Sequence, residues 1–374
     1  MTFKGKQGKK YLLGEQIGKP GGEGIVYVLQ KVPGKVAKVL HAQHRTTARE
    51  RKLELMLLYK APPHTAWPED ILYDEDGKFA GYTMPLVENA QELREIYATS
   101  PAGGSQQFRI MVAKNLCETV KGLHNIGVVV GDFNPKNILV NQAGNVELID
   151  TDSYHVRHPT NGHINRCVVG LPELLAAELQ SKLQNGYTLS SASLPTFTLE
   201  TDCFALAVLV FQLLINGCHP FSTRTVPVQL TDRQSSVGCP QPVENILNGQ
   251  SPFFVSMPGL DTPIYAPKSL LTNLSDNVQA LFCRAFVDGY TNPKVRPTCD
   301  EWISALSLLE YGGDVLPVVT SNAIYCTTCG KQLPKDAVKC PYCAAEAGAS
   351  VDAGIGNGNG ETKPKKRTAF RRKS

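Results

Sequence analysis

Two neighbouring stretches constrain this 374-residue chain more than any other feature: Val128–Val140 (VVVGDFNPKNILV) and Val146–Asp152 (VELIDTD). The first holds Asp132 and Asn137 on a loop between apolar runs. The second is a short strand-like run ending in a turn at Asp150. An aspartate in a turn usually does no more than form the turn. Here three such groups follow in order behind a glycine-rich turn and a strand lysine, and turn chemistry does not account for the set. Brought together, they can surround a nucleotide. Asp132 would accept a hydroxyl proton, while Asn137 and Asp150 would hold a divalent cation.

Upstream, Ile17–Tyr27 (IGKPGGEGIVY) puts glycines between two strand-like runs, where backbone N–H groups can face a phosphate. Taken alone, such a turn suits a plain hairpin equally well. Lys38 follows on an otherwise apolar β run, Val36-Ala37-Lys38, where a charge needs an acidic partner. The next segment, Thr47–Tyr59, shows helical spacing of Leu53, Met56 and Leu57 and carries Glu50 and Glu54. Glu54 is the expected partner, because Leu58 four residues on can pack inward, whereas four residues after Glu50 comes the charged Glu54.

The first 90 residues are strand-rich (YLLGEQIG, GIVYVLQ, KVAKVL), and from about 105 the pattern turns helical. QQFRIMVAKNLCETVKGLHNIG is amphipathic, and DCFALAVLVFQLLINGC is apolar nearly all round, as in a fully buried helix. The expected class is α+β. A small β-rich lobe covers 11–88, a larger helical lobe 89–311, a connector 312–325, a four-cysteine module 326–343 and a flexible basic tail 344–374. Residues 179–201 are expected to form a surface loop. With 42% hydrophobic and 19% charged residues, the chain as a whole is neither disordered nor fibrous. A net charge of +4 gives no global argument for nucleic acid or a membrane as partner. The longest apolar run, Phe204–Ile215, is broken by Gln212 and falls short of the roughly 20 residues a bilayer needs. MTFKGKQGKK lacks a secretory apolar stretch, so the 11 cysteines are expected in a reducing, cytoplasmic compartment.

The order and spacing of these motifs resemble the protein-kinase fold across residues 11–310, where the pattern runs G-x-G-x-x-G-x-V, strand Lys, H-R-D-L-x-x-x-N, D-F-G and A-P-E. The resemblance implies a bilobal molecule using ATP with Mg²⁺ or Mn²⁺ and a protein substrate. It makes Gly21, Gly24 and Val26, with Gly18 and Gly22, the turn over the phosphates, and Lys38, beside Ala37, the phosphate-pairing lysine. Asp132 becomes the catalytic base and Asn137 and Asp150 the metal ligands. Met84, Leu86, Val87 and Leu139 frame the adenine site, with hinge backbone groups hydrogen-bonding the base. Asp202 would anchor the catalytic loop from below, and Glu178 would pair with Arg296. The sequence departs from the pattern at several points. Pro20 lengthens the glycine turn, Gly131 replaces the H-R-D arginine, and Thr151 stands where an apolar residue belongs. Asn134 takes the place of a lysine two residues after the base, with Lys136 as its substitute. An active serine/threonine kinase is the first reading. The alternative is a pseudokinase adaptor acting through its C-terminal module and tail.

Cys326-x-x-Cys329 and Cys340-x-x-Cys343, ten residues apart, form the double pair of a zinc ribbon, in which metal supplies the folding energy. Nucleic acid is not the expected partner, since the tail carries only one aromatic, Phe370, beyond a Gly/Ala-rich tether. Ala66-Trp67-Pro68, Gly81–Pro85, the Gly-Asp-Phe-Asn-Pro-Lys-Asn loop and Asp202–Val208 resemble a bacterial Ser/Thr kinase subfamily. Its genes sit beside those of a von Willebrand A-type protein and a PP2C-type phosphatase, some of them tellurite-resistance-associated. That resemblance implies these two partners. The histidines His155, His158 and His163 are expected in an exposed loop.

Overall fold

The computed structural model describes residues 1–97, 104–191, 196–226 and 241–310, with the backbone of 324–325 and 332–333. Six strands build the N-terminal unit: β1 (Thr2–Gly5), β2 (Lys10–Ile17), β3 (Gly24–Gln30), β4 (Lys35–Leu40), β5 (Asp70–Tyr73) and β6 (Phe79–Pro85). They pair antiparallel in the order β1-β2-β3-β4-β6-β5, and β1 closes the barrel against β5. The sheet therefore begins before residue 11. Along β4, side chains alternate between faces. Ala37 and Val39 join a small barrel core with Phe3, Tyr11, Leu29 and Leu72. Val36 and Leu40 join the main core, and Lys38 shares their phase.

Thr46 caps α1 (Thr47–Met56) by accepting the Arg49 N–H at 3.2 Å. The helix buries Leu53, Leu55 and Met56 and ends at Leu57, while Leu58 is 62% exposed. The inward packing of Leu58 that favoured Glu54 is thus absent.

The C-terminal unit opens with β7 (Ala90–Glu92), which pairs with β8 (Ile138–Asn141); β8 in turn pairs with β9 (Val146–Leu148). Helix α2 (Gln106–Asn125) starts at a Ser105 cap and packs its apolar face into the main core. After α3 (Ala177–Gln184) comes α4 (Leu199–Leu214), started by a Thr198–Thr201 capping box and buried on nearly every side. The helices α5 (Pro242–Leu247), α6 (Lys268–Thr272), α7 (Asp276–Cys283), α8 (Gly289–Thr291) and α9 (Cys299–Glu310) complete it. Residues 179–201 are not a simple surface loop, because Leu179 and Phe197 are buried against Val129, Cys167 and Leu175. His155 is also buried, its backbone paired with Val129, so it does not belong to an exposed histidine loop. Cys326, Cys329, Cys340, Cys343 and the tail lie outside the described residues. Flanking the first cysteine pair, Ile324–Tyr325 runs antiparallel to Gln332–Leu333. Among the described residues no helix is long and apolar enough to cross a membrane.

Candidate active site

The barrel and the 132–152 segment face each other across a cavity of about 360 Å³. Its lining brings together residues that are far apart in sequence. Gly21, Gly22, Gly24 and Val26 come from the glycine turn, Lys38 from β4, Met84, Leu86 and Val87 from the end of β6, and Asn137, Leu139 and Asp150 from the opposite side. Val36, Ala66 and Ile149 add apolar surface, so one end of the cavity suits a flat ring and the other a charged group. Gly18 and Ala37 are not part of the lining. Gly18 takes a positive φ (65°) between the lining residues Ile17 and Lys19, and Ala37 faces the barrel core.

The hinge is narrower in its hydrogen bonding than expected. Pro85 has no N–H, and the Leu86 N–H donates to the Gly34 carbonyl at 2.9 Å. Val87 is then the hinge residue whose N–H has no partner among the described residues.

Lys38 is buried, and its ammonium contacts three carboxylates: Asp150, Asp152 at 2.9 Å and Glu23 at 3.7 Å. Burial alone would lower its pKa, but Tyr82, Asp152 and Asp150 outweigh that and hold it well above the usual lysine value. The expected Glu54 is not among its partners: Glu54 pairs with Lys6 at 2.7 Å, and Glu50 accepts from the Tyr73 hydroxyl. Asp152, fully buried, accepts from Lys38, from the Tyr82 hydroxyl at 2.7 Å and from Arg49 at 3.2 and 2.5 Å. Arg49 also forks onto Glu23 of the glycine turn. Thr151 is buried with its hydroxyl bonded to the Ala66 carbonyl at 3.0 Å, which satisfies the polar group where an apolar one was expected.

Asp132 is half-buried, and its carboxyl is pushed up to about 6 by burial, then by the charges of Asp150 and Glu23. Its loop is fixed from beneath. Asp202 accepts the N–H groups of Val130 (2.7 Å) and Gly131 (2.9 Å) and is bonded to His124 Nε2 at 3.0 Å. Arg296 grips Glu178 through two bonds of 2.7 and 2.9 Å, as expected of that pair. Asn134 and Lys136 are not brought into the cavity. The Asn134 side chain accepts the Lys136 N–H at 3.0 Å and starts a short turn, and Lys136 is exposed.

Asn137 and Asp150 both line the cavity, and an amide oxygen with a carboxylate oxygen is a hard donor set that fits Mg²⁺ or Mn²⁺. The carboxylate oxygens of Glu23, Asp150 and Asp152 lie within 4.8 Å of one another, with Lys38 and Arg49 between them.

Glu23, Arg49, Asp152 and Tyr82 are the site residues the sequence did not single out. One signal was available: Arg49, Leu53 and Met56 share the buried face of α1 at helical spacing, and a cation there demands a facing acid.

A family model described as the lipopolysaccharide kinase (Kdo/WaaP) family matches residues 81–167, which take in the hinge, Asp132, Asn137 and Asp150. The chain is 29% identical over 351 residues to the protein kinase YegI of Escherichia coli O157:H7, covering 89% of this chain and 48% of that protein. The counterpart in Escherichia coli K12 is 29% identical over 358 residues, covering 91% of this chain and 49% of that protein. The ribosomal protein S6 kinase 2 alpha of Gallus gallus is 28% identical over 191 residues, half of this chain and 22% of its own length. The chain thus spans about half the length of the two YegI proteins. Together the cavity and these similarities support a kinase-like fold.

Proposed function

We propose that the chain is an ATP- and Mg²⁺-dependent protein kinase acting on serine or threonine hydroxyls. One observation carries the proposal: the glycine turn, Lys38, the hinge, Asn137 and Asp150 meet in a single cavity. In this reading Val87 meets the base, apolar residues from Val26 to Ile149 hold its ring, and Lys38 orients the phosphates. Asp132 receives the acceptor proton, and at about 6 its carboxyl is ionised at neutral pH. Asn137 and Asp150 hold the metal, which when bound neutralises phosphate charge. The test is transfer of label from ATP in Mg²⁺ to the chain itself or to casein. Asp132→Asn should abolish transfer while keeping nucleotide affinity, and Lys38→Met should weaken both. Wild-type protein that binds no ATP would refute the reading.

The match to a lipopolysaccharide kinase family over 81–167 favours a second acceptor, a sugar hydroxyl of lipopolysaccharide. Label appearing in lipopolysaccharide and in no protein would select it. The double cysteine pair is proposed as a zinc ribbon for partner docking. One zinc per chain, lost in Cys326→Ser/Cys340→Ser, checks the metal. Co-purification of a von Willebrand A-type protein or a PP2C-type phosphatase with the full chain, and not with one ending near 315, checks the docking.

A further inference from the structure

Resting on the phosphotransferase reading, we propose that Asp152 and Arg49 together are the positioning residues for Lys38: Asp152 orients the ammonium, and Arg49 ties that carboxylate to α1.

The carboxylates on α1 are engaged elsewhere, Glu50 with Tyr73 and Glu54 with Lys6. The charge the helix offers the site is instead the cation Arg49, and the acid comes from the turn after Asp150. The two carboxylates nearest Lys38 differ in what else they meet. The Asp150 side chain is 34% exposed and lines the cavity, so an entering phosphate or cation meets it directly. Asp152 is 1% exposed and is not part of the lining. It is therefore the partner Lys38 keeps when the cavity fills. Both of its oxygens are committed, Oδ1 to Lys38 and Tyr82 and Oδ2 to the Arg49 fork. A carboxylate holding four donors has little freedom, and the group it orients inherits that. Arg49 suits the task better than a lysine because its planar fork fixes direction as well as charge.

The full chain is assayed as wild type, Asp152→Asn, Arg49→Gln, Arg49→Lys and Glu54→Gln, well below each variant's melting midpoint. Two quantities are read: steady-state kinetics with Mg-ATP and casein, and the affinity for trinitrophenyl-ATP in metal-free buffer. Asp152→Asn and Arg49→Gln should lower kcat on the order of 10–100-fold, with KM for ATP moving less than kcat. Both should also weaken trinitrophenyl-ATP binding. Arg49→Lys should recover part of what Arg49→Gln loses, and Glu54→Gln should match wild type. If Asp152→Asn fails to fold, the two Arg49 variants carry the comparison. Wild-type kinetics and affinity in Arg49→Gln, or an equal loss in Glu54→Gln, would overturn the proposal. A wild-type chain that transfers no phosphate, yet loses nucleotide affinity in Asp152→Asn and Arg49→Gln alone, would remove the phosphotransferase reading and leave the tie standing.

Discussion

Replacing Asp202 by alanine isolates the support beneath the loop that carries Asp132. The carboxylate is 1% exposed and accepts two backbone N–H groups, from Val130 at 2.7 Å and Gly131 at 2.9 Å. A hydrogen bond to a charged acceptor contributes about 1.5–3 kcal/mol, and a buried N–H left unpaired costs a comparable amount. Asp202→Ala should therefore destabilise the fold by about 3–6 kcal/mol. Asp202→Asn keeps one acceptor oxygen and turns an amide donor toward the second N–H, so about 2–4 kcal/mol is expected from the same principle. Urea unfolding reads this as a lower midpoint at unchanged slope. Gly131 directly precedes Asp132, so turnover should fall more than nucleotide affinity. An Asp202→Ala protein with wild-type midpoint and wild-type turnover would refute the reasoning.

Removing Glu178 takes the paired carboxylate from the Arg296 guanidinium, which is 1% exposed and keeps the Glu200 and Gly289 carbonyls at 2.9 and 2.7 Å, whereas removing Arg296 leaves a carboxylate that is 31% exposed and can hydrate. Glu178→Ala should cost about 3 kcal/mol and lower the melting temperature more than Arg296→Met; the opposite order would contradict this account. Gly131 holds φ at 71°, and a Cβ there would lie 2.9 Å from Cys167 Sγ. Gly131→Ala should lose about 2–3 kcal/mol, and adding Cys167→Ala should relieve only the Sγ part of the contact, because Cys167 Cβ at 3.0 Å, Phe197 at 3.2 Å and the backbone strain all remain, as a double-mutant cycle reads directly. His219 is buried, its Nε2–H donating to the Glu173 carbonyl at 2.9 Å while Nδ1 accepts the Phe221 N–H at 3.2 Å, and burial pushes it down to about 4. Between about 4 and the unfolded value of 6.5 the unfolded chain binds the extra proton, so stability is complete above 6.5 and is lost as pH falls toward 4. The share of the loss due to His219 should reach about 3 kcal/mol and be missing in His219→Gln, while the buried His155, likewise pushed down to about 4, keeps its own share, as denaturation midpoints across that range report.

Strands β2, β3 and β4, helix α2 and the buried α4 were legible because their periodicities reflect the faces they bury. Asp202 and the Glu178–Arg296 pair were legible through motif order. The partner of Lys38 was not. Choosing Glu54 assumed that Leu58 packs inward, yet α1 stops at Leu57, and no periodicity rule locates a helix end to within two residues. Asp152 and Arg49 lie 103 residues apart, and their contact depends on how the 150–152 turn lies against α1, which no local pattern encodes. Lys136 was judged by its place in a motif, whereas the Asn134 turn decides where it points.

Because β1 joins β5, none of the six barrel strands keeps an open edge along its paired stretch. The closure rests on two residue pairs, Lys4–Tyr73 and Gly5–Leu72, and it leaves a partner protein only a short edge on which to extend the sheet with a strand of its own. Recognition of the N-terminal unit is then expected chiefly through side chains on its outer surface, where single substitutions can tune binding without disturbing the backbone ladder.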